Sequence, residues 1–230
     1  MNYFFSVLRS ILATPIVVIS VIIYGIIAAV TCTAFKGQKK YPTFFTTSWC
    51  RFVLWVKGIH VTVSGFENIP PTSCLYVFNH SSHLDIPILN SQLTNDIRFG
   101  AKDSLFKIPI FGQAVASFQT IKIVRGDREK VIKEYSQSLT RVKEQGISII
   151  LAAEGTRNKN PETFMPFKSG PFILAIEGQL PIVPVIIEGA SQILPKHTYF
   201  MNFGSWRKQA RLKILKPVST AGLGLSLIHI

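Results

Sequence analysis

An uncharged run of 25 residues near the N-terminus constrains this chain more than any other feature. It covers residues 11–35 and has the sequence ILATPIVVISVIIYGIIAAVTCTAF. About 20 helical residues cross the roughly 30 Å hydrocarbon layer of a bilayer. The run is also longer than the ~7–15 apolar residues of a secretory signal, so it predicts a retained membrane anchor. Pro15 permits a bend, which leaves a spanning and a re-entrant helix both open.

The charges that flank this run predict its orientation. One basic residue precedes it, Arg9, and three follow it, Lys36, Lys39 and Lys40. Because basic residues are enriched on the cytoplasmic side of membrane segments, the rest of the chain is expected there. The expected location is therefore the cytoplasmic side of a membrane, the inner or plasma membrane if the chain is bacterial.

A second apolar segment follows, with the sequence YPTFFTTSWCRFVLWVKG. Its larger side chains recur at helical spacing and form a mostly aromatic stripe of Phe45, Trp49, Phe52 and Val56, with Trp55 on its flank. Such a stripe is common in core helices, but this one is bracketed by lysines and adjoins the anchor. We therefore predict an interfacial helix that completes an N-terminal unit over residues 1–58.

Composition limits the remaining classes of protein. Of 230 residues, 47% are hydrophobic and 16% are charged, which favours one folded domain with a substantial core. The net charge of +13 predicts an acidic partner, and the apolar composition favours membrane lipids over nucleic acid. Cys32, Cys50 and Cys74 are odd in number and lack metal-ligand spacing, so a disulfide framework is not expected.

Beyond Gly58, short apolar runs alternate with amphipathic segments. Seven of these runs predict strands, at residues 59–65, 74–78, 97–101, 120–124, 147–153, 182–187 and 211–215. The clearest helix covers residues 128–145, with Asp127 as its cap and Gly146 at its end. This alternation predicts a single α/β domain over residues 59–220, with a mostly parallel or mixed sheet flanked by helices. The status of the tail, residues 221–230, is left open.

The segment NHSSHLD, residues 79–85, directly follows the predicted strand 74–78. In α/β proteins, ligands collect at the carboxyl ends of strands. On one straight helix, side chains five residues apart diverge by about 140°. His80 and Asp85 can therefore meet only if His80 lies in a loop and Asp85 in the first turns of a helix. The carboxylate would then hold the Nδ1 proton of His80 and leave Nε2 as a general base.

Three other interpretations of NHSSHLD compete with a base. A metal site built on His80, His83 and Asp85 lacks a further cluster of His or Cys, so no metal is expected. A nucleophilic Ser81 or Ser82 calls for a Gly-x-Ser-x-Gly elbow, which is absent. A plain polar turn stays possible, because the spacing alone arises by chance in a chain of this composition. His83 is expected to be a loop residue without a catalytic role.

Cationic residues follow two other predicted strands. Arg157 lies in AAEGTRN together with Glu154 and Thr156, and Lys102 begins the segment KDSLFKIPIFG. The ends of parallel strands meet at one edge of a sheet, so these side chains are expected near His80. Arginine suits bidentate contact with phosphate. The sequence thus predicts a pocket for an anionic head group that carries a hydroxyl to be activated.

Four segments, taken in order, resemble the sequence blocks of the glycerolipid acyltransferase family, specifically the 1-acylglycerol-3-phosphate acyltransferases. NHSSHLD is similar to the block Asn-His-x-Ser-x-x-Asp. AKDSLFKIPIFG with the later IKIVR resembles the second block, EGTR with FKSG the third, and LPIVPVIIEG the fourth. The resemblance covers residues 61–218. Ala153 stands where the family usually has proline and Asn158 where serine is common, and neither change removes a charged group.

The resemblance implies roles for individual residues. The catalytic residues would be His80 and Asp85, supported by Asn79 and Ser82. The residues that bind the phosphate of the acceptor would be Lys102, Arg125, Glu154, Gly155, Thr156 and Arg157.

The resemblance also implies a reaction, in which an acyl group moves from acyl-CoA or acyl-carrier protein to the sn-2 hydroxyl of 1-acylglycerol-3-phosphate and forms phosphatidic acid. Beyond that co-substrate, no cofactor is expected. Two alternatives remain open: another acceptor, such as glycerol 3-phosphate, a lysophospholipid or a lipid A precursor, and a membrane lipid-binding module without activity. The paired His80 and Asp85 argue against the second, since a binder needs no base. Membrane lipids are the expected partners, nucleic acid is not, and no oligomeric state is predicted.

Overall fold

The structure, a computed structural model, describes residues 2–35, 38, 40–124, 128–160, 162–203 and 205–224. Within these residues the helices are α1 (Asn2–Ala34), α2 (Lys40–Lys57), α3 (Asp85–Gln92), α4 (Phe111–Ser117), α5 (Arg128–Gln145), α6 (Ser169–Gly178) and α7 (Ala190–Ile193). The strands are β1 (Ile59–Ser64), β2 (Leu75–Phe78), β3 (Ile97–Lys102), β4 (Ile121–Ile123), β5 (Ser148–Ala152), β6 (Ile182–Glu188) and β7 (Lys208–Ile214). Predictions that concern Lys36, Lys39, Arg125, Asp127 and residues 225–230 lie outside the described residues.

The strands form one mixed sheet in the order β1-β7-β6-β2-β5-β3-β4. Neighbouring strands are parallel except β6 and β7, which are antiparallel. The α/β fold with a mixed sheet that the sequence predicts is therefore confirmed, although β7 begins at Lys208, three residues before the predicted start. Because β6, β2, β5 and β3 all run in one direction, their carboxyl ends share one edge of the sheet.

The central strand β2 is buried on both faces. Tyr76 and Phe78 pack into one hydrophobic cluster, and Leu75 and Val77 pack into a second cluster on the opposite face. A strand covered on both sides is apolar at every position, which explains the continuous run that precedes NHSSHLD. The packing fixes the carboxyl end of β2, where residue 79 begins the loop to α3.

Helix α1 turns its small side chains inward and its large apolar side chains outward. Its buried positions share a small size and recur every three to seven residues: Ser6, Ser10, Ala13, Ser20, Gly25, Ala28 and Cys32. Large residues such as Ile19 and Val30 are more than half exposed, at 55% and 66%. This pattern is the reverse of a soluble amphipathic helix and is typical of helices whose outer face contacts lipid.

Among the described residues, α1 is the one helix long and apolar enough to cross a membrane. Its buried stripe nevertheless extends along most of its length, from Ser6 to Cys32. At Gly25 a Cβ atom would lie 3.5 Å from Cβ of Ala114 on α4, so a small residue lets these helices approach closely. Helix α1 is thus packed lengthwise on the domain.

The predicted aromatic stripe of α2 packs against α1. Trp49 donates from Nε1 to Oγ of Ser20 at 3.0 Å, and the Phe52 ring stacks on Tyr24 with centroids 6.2 Å apart. The most exposed aromatic side chain of α2 is instead Trp55, at 74%. This differs from the expected interfacial stripe, because the small residues of α1 form a groove that accepts the larger rings of α2.

Candidate active site

His80 and Asp85 lie at the carboxyl end of β2, and their side chains are hydrogen-bonded. His80 is in the loop after the strand, and Asp85 is the first residue of α3. The distance from His80 Nδ1 to Asp85 Oδ2 is 2.7 Å. The carboxylate is fully buried, whereas the His80 side chain is 22% exposed. The imidazole is therefore fixed through Nδ1, and Nε2 is available to a substrate proton.

Two backbone amides hold the carboxylate in this position. Asp85 Oδ2 accepts from the N–H of Ser81 at 2.8 Å and of Ser82 at 2.9 Å. The backbone of the loop thus surrounds the same carboxylate oxygen that faces the imidazole. Its other oxygen, Oδ1, is buried and has no hydrogen-bond partner among the described residues. The geometry makes Asp85 an orienting group for His80, with no freedom to approach a substrate itself.

The two residues predicted to support the site, Asn79 and Ser82, stabilise the same loop. The amide of Asn79 bonds both backbone groups of Ile187 on β6, donating to the carbonyl at 3.0 Å and accepting from the N–H at 2.7 Å. The hydroxyl of Ser82 donates to the carbonyl of Leu194 at 2.7 Å and accepts from the N–H of Leu84 at 3.2 Å. Ser82 is fully buried, so its hydroxyl stabilises the loop and is not placed as a nucleophile.

The loop after β5 is bonded directly to the loop of His80. The N–H of Asn158 donates to the carbonyl of His80 at 2.6 Å, and its side-chain amide donates to the carbonyl of Thr163. Glu154 is buried, and its Oε2 accepts from the N–H of Met165 at 2.9 Å, while Oε1 lacks a partner among the described residues. These bonds hold the EGTR segment beside the loop that carries His80.

Arg157 is held close to this pair, because the next residue, Asn158, donates its N–H to the carbonyl of His80. Its Nη1 is shielded from solvent and has no hydrogen-bond partner in the described part of the chain, which leaves donors available to an anion. Its backbone carbonyl accepts from Nζ of Lys196 at 2.7 Å. Gly155 and Thr156 precede it in an exposed turn, and Gly155 has φ of +66°, a conformation that favours glycine.

Lys102 is not joined to the pair in this way. Lys102 ends β3 two strands from β2, at the same edge of the sheet, with an exposed side chain. Nearby, Asp103 forms an ion pair with Lys122 at 2.8 Å, so one of the cations here is already neutralised. Arg125 lies outside the described residues. Lys102 therefore borders the edge without a direct bond to the His80 loop or to Arg157 among the residues described.

His83 lies beside the pair but makes different contacts. Its ring stacks on Tyr199 with centroids 6.4 Å apart. Loss of solvation, followed by electrostatic interaction with Arg157 and with His80, lowers the pKa of His83, although Asp85 acts in the opposite sense. The ring is therefore neutral near pH 7. Because His83 is exposed whereas Asp85 is buried, its ring lies at the solvent side, or mouth, of the site.

Among the described residues, no group of three or more His, Cys, Asp or Glu side chains is arranged to hold a metal ion. The buried hydroxyl of Ser82 is already bonded, and an imidazole with one fixed nitrogen remains. The adjoining loop carries a cation, Arg157. This arrangement suits direct proton transfer from a hydroxyl on a bound anionic molecule.

Sequence reasoning missed the segment after α7, which reaches the site from far along the chain. Lys196 bonds Arg157, and Tyr199 stacks on His83. One signal was available: β6 is parallel to β2, so whatever follows β6 must begin at the edge where His80 lies. The structural role of Asn158 was also not predicted, because it depends on a hydrogen bond of its backbone N–H that no side-chain pattern reveals.

Comparison with known proteins gives several similarities. The Acyltransferase family model matches residues 60–188. A 1-acyl-sn-glycerol-3-phosphate acyltransferase of Saccharomyces cerevisiae is 32% identical over 87% of this chain and 65% of its own length. The chloroplastic 1-acyl-sn-glycerol-3-phosphate acyltransferase BAT2 of Brassica napus is 30% identical over 80% of this chain and 52% of its own. The chain thus spans less than two thirds of the length of either relative.

The fold also matches a solved structure. The crystal structure of the 1-acyl-sn-glycerophosphate acyltransferase of Thermotoga maritima aligns with a TM-score of 0.79 at 23% identity. The alignment covers 100% of this chain and 91% of that chain. The α/β sheet and the N-terminal helices are therefore shared with a known architecture.

Proposed function

The chain belongs to the acyltransferase family, and on that premise we propose that it transfers a fatty acyl group to the sn-2 hydroxyl of 1-acylglycerol-3-phosphate. The observation that carries the proposal is the imidazole of His80, whose Nδ1 lies 2.7 Å from a buried carboxylate, in a loop that is bonded to the loop of Arg157. The relatives from Saccharomyces cerevisiae and Brassica napus, named for this acceptor, support it.

In the proposed reaction, His80 acts as the general base. Its Nε2 takes the proton of the sn-2 hydroxyl as the oxygen attacks the thioester carbonyl of acyl-CoA or acyl-carrier protein. Collapse of the tetrahedral intermediate breaks the carbon–sulfur bond, and the departing thiolate takes the proton back from His80. The products are phosphatidic acid and a free thiol. General base catalysis contributes about 10²–10⁴-fold, and alignment of the two bound substrates contributes much of the rest.

Asp85 stabilises the imidazolium that forms during this step. Its Oδ2 faces Nδ1 of His80, so the proton on Nδ1 keeps its acceptor while Nε2 gains one. Because the carboxylate is buried, its interaction with a positive ring is weakly screened by solvent. No covalent acyl-enzyme is required.

Arg157 is the proposed anchor for the phosphate of the acceptor. Its guanidinium retains unpaired donors, and phosphate accepts such donors in pairs. Glu154 shapes the loop through its bond to the backbone of Met165, and Gly155 through its turn with a φ of +66°. The exposed Thr156 offers a further contact. Lys102 and Arg125 would extend the positive field along the edge.

The outward face of α1 is the proposed membrane-binding surface. Helix α1 is packed lengthwise on the domain, so a lipid layer can cover its exposed isoleucines and valines without the domain crossing the bilayer. A lipid acceptor would then reach the site from the membrane. The cytoplasmic side is proposed from the flanking basic residues alone.

An acceptor panel tests the reaction. Purified protein in detergent, given labelled acyl-CoA and a series of acceptors, is expected to acylate 1-acylglycerol-3-phosphate at a rate well above glycerol 3-phosphate or 1-acylglycerophosphocholine. The series is repeated with acyl-carrier protein as donor, which identifies the thioester carrier. Preference for another acceptor would replace the proposed substrate, and transfer to none by folded protein would contradict an enzymatic role.

Replacing Arg157 with alanine tests the phosphate contact. A charge-assisted hydrogen bond contributes about 1.5–3 kcal/mol, so KM for 1-acylglycerol-3-phosphate should rise roughly 10- to 150-fold. KM for monoacylglycerol, which lacks the phosphate, should change little if that acceptor is used at all. Lys143→Ala, which removes an exposed cation near the end of α5, serves as the control. An equal rise for both acceptors would show that Arg157 does not bind the phosphate.

A further inference from the structure

The segment between α7 and β7 presents aromatic rings to solvent beside the first turns of α1. Two ring pairs join it to the helix, Tyr3 with Phe203 at 6.2 Å and Phe5 with Trp206 at 6.3 Å between centroids. The side chains are between 43% and 74% exposed. We call this set the aromatic surface: Tyr3, Phe5, Tyr199, Phe200, Phe203 and Trp206.

Hydroxyl groups on α1 fix this segment to the helix. Ser10 donates from Oγ to the carbonyl of Met201 at 3.1 Å, and Thr14 donates from Oγ1 to the carbonyl of Tyr199 at 3.1 Å. The guanidinium of Arg9 lies 4.4 Å from the ring of Trp206 and donates to the carbonyl of Val56 at 2.8 Å. The polar contacts therefore point inward, and the rings remain on the outer side with the apolar face of α1.

The two chain segments that build this region carry no acidic residue. All 12 carboxylates of the chain lie within residues 67–188. Residues 1–66 contain six lysines and arginines, and residues 189–230 contain another six. One of these, Arg207, is exposed directly beside the aromatic surface. Arg211 and Lys213 pair with Glu188 on β6, and the other cations leave an excess of positive charge around the exposed rings.

We propose that the aromatic surface, which joins the first turns of α1 to the segment before β7, is a second lipid-contacting element and lies in the head-group layer of an anionic bilayer. Aromatic rings favour the membrane interface, and nearby arginine and lysine side chains favour anionic head groups. A contiguous exposed aromatic patch is unusual on a protein surface without a partner. Its continuity with the apolar face of α1, and its lack of carboxylates, favour a lipid surface over a protein.

This contact also defines where the site opens. The same segment bonds Arg157 through Lys196 and stacks Tyr199 on His83. Lipid contact at the aromatic surface would therefore place the mouth of the site at the membrane surface, where an acceptor embedded in the bilayer can enter. This consequence rests on the proposed acyl transfer, whereas the lipid contact itself does not.

Fluorescence quenching in vesicles tests the proposal. All three tryptophans are replaced by phenylalanine, and a single tryptophan is introduced by Phe200→Trp. The control carries Phe66→Trp in the same background. Phe66 is similarly exposed, 47% against 51%, but follows β1 at the opposite edge of the sheet. Both are reconstituted in vesicles of phosphatidylcholine and phosphatidylglycerol whose acyl chains carry bromine.

The expected result is quenching of most of the fluorescence in Phe200→Trp and little in Phe66→Trp. Equally weak quenching in both variants would overturn the proposal. So would a stable dimer in detergent that buries the tryptophan of Phe200→Trp, because a second copy of the chain would then cover the aromatic surface. In a chain with its own tryptophans, Phe200→Ser with Phe203→Ser should weaken binding to anionic vesicles roughly tenfold, from the lost apolar contact. Phe66→Ser should not, and an unchanged affinity in the double variant would also contradict the proposal. These measurements do not depend on turnover, so they test lipid contact independently of the acyl-transfer assay.

Discussion

Replacing His80 with alanine is expected to lower kcat by about 10²–10⁴-fold, the usual contribution of a general base. The imidazole is the one group of the described site with a fixed nitrogen on one side and a partly exposed ring on the other. Its loss leaves Asp85 with the N–H groups of Ser81 and Ser82 as donors, so the loop should keep its shape. Turnover of labelled acyl-CoA at saturating acceptor measures the effect, and thermal unfolding checks the fold.

His83→Ala is the matched control for this experiment. His83 is three residues further along the same loop, and its ring contacts Tyr199 instead of Asp85. It should retain kcat within a few-fold of the unmodified protein. Full activity of His80→Ala would remove His80 as the base. A fall of similar size in both variants would indicate general damage to the loop.

The sheet and the position of the His80 loop could be predicted because both depend on local patterns. Seven apolar runs correspond to seven strands, and helix α5 has the predicted bounds. The run before NHSSHLD is apolar at every position because β2 is covered on both faces. A polar segment after such a strand lies at the carboxyl edge of the sheet, so the position of the loop followed from its place in the sequence directly after the strand.

The packing of α1 was harder to predict, because most positions of the helix are apolar. Hydropathy identifies such a helix but does not say which face turns inward. The available signal was side-chain size: Ser20, Gly25 and Ala28 lie inward, whereas Ile19 lies outward. Small residues allow close helix packing, so a size pattern predicts the inner face where a hydropathy pattern cannot.

The contacts of the segment after α7 depend on distances that sequence spacing does not encode. Tyr199 reaches His83, which is more than 100 residues earlier in the chain. The loop that carries Tyr199 has neither helical nor strand periodicity, so its path is set by hydroxyls on α1. For Lys102, the sequence predicted the position of the backbone at the end of β3. It did not predict the direction of the long, exposed side chain.

Replacing Asp85 with alanine is expected to lower kcat nearly as far as His80→Ala and to destabilise the protein as well. The variant removes the acceptor of the Ser81 and Ser82 amides and of His80 Nδ1 in a buried site. Each buried donor left without a partner costs about 1–3 kcal/mol, so unfolding should occur at a clearly lower denaturant concentration. His80→Ala should lose much less stability, which separates the two variants.

Asp85→Asn removes the charge while keeping most of the shape. Two backbone amides donate to the position of Oδ2, so they should hold the oxygen of the asparagine amide there and keep an acceptor for His80. The lost negative charge weakens stabilisation of the imidazolium, and kcat should fall roughly 10- to 100-fold with little change in stability. Steady-state kinetics and chemical unfolding measure the two effects.

Combining Asp85→Asn with His80→Ala tests whether the carboxylate acts through the imidazole. If Asp85 only orients and stabilises His80, its charge has nothing left to act on once the ring is gone. The double variant should then have the same residual kcat as His80→Ala, because effects of groups that act as a unit do not add. A further fall equal to the effect of Asp85→Asn alone would show that the carboxylate acts independently. The buried position of Asp85, fixed by two amides and facing Nδ1, leads us to expect the first result.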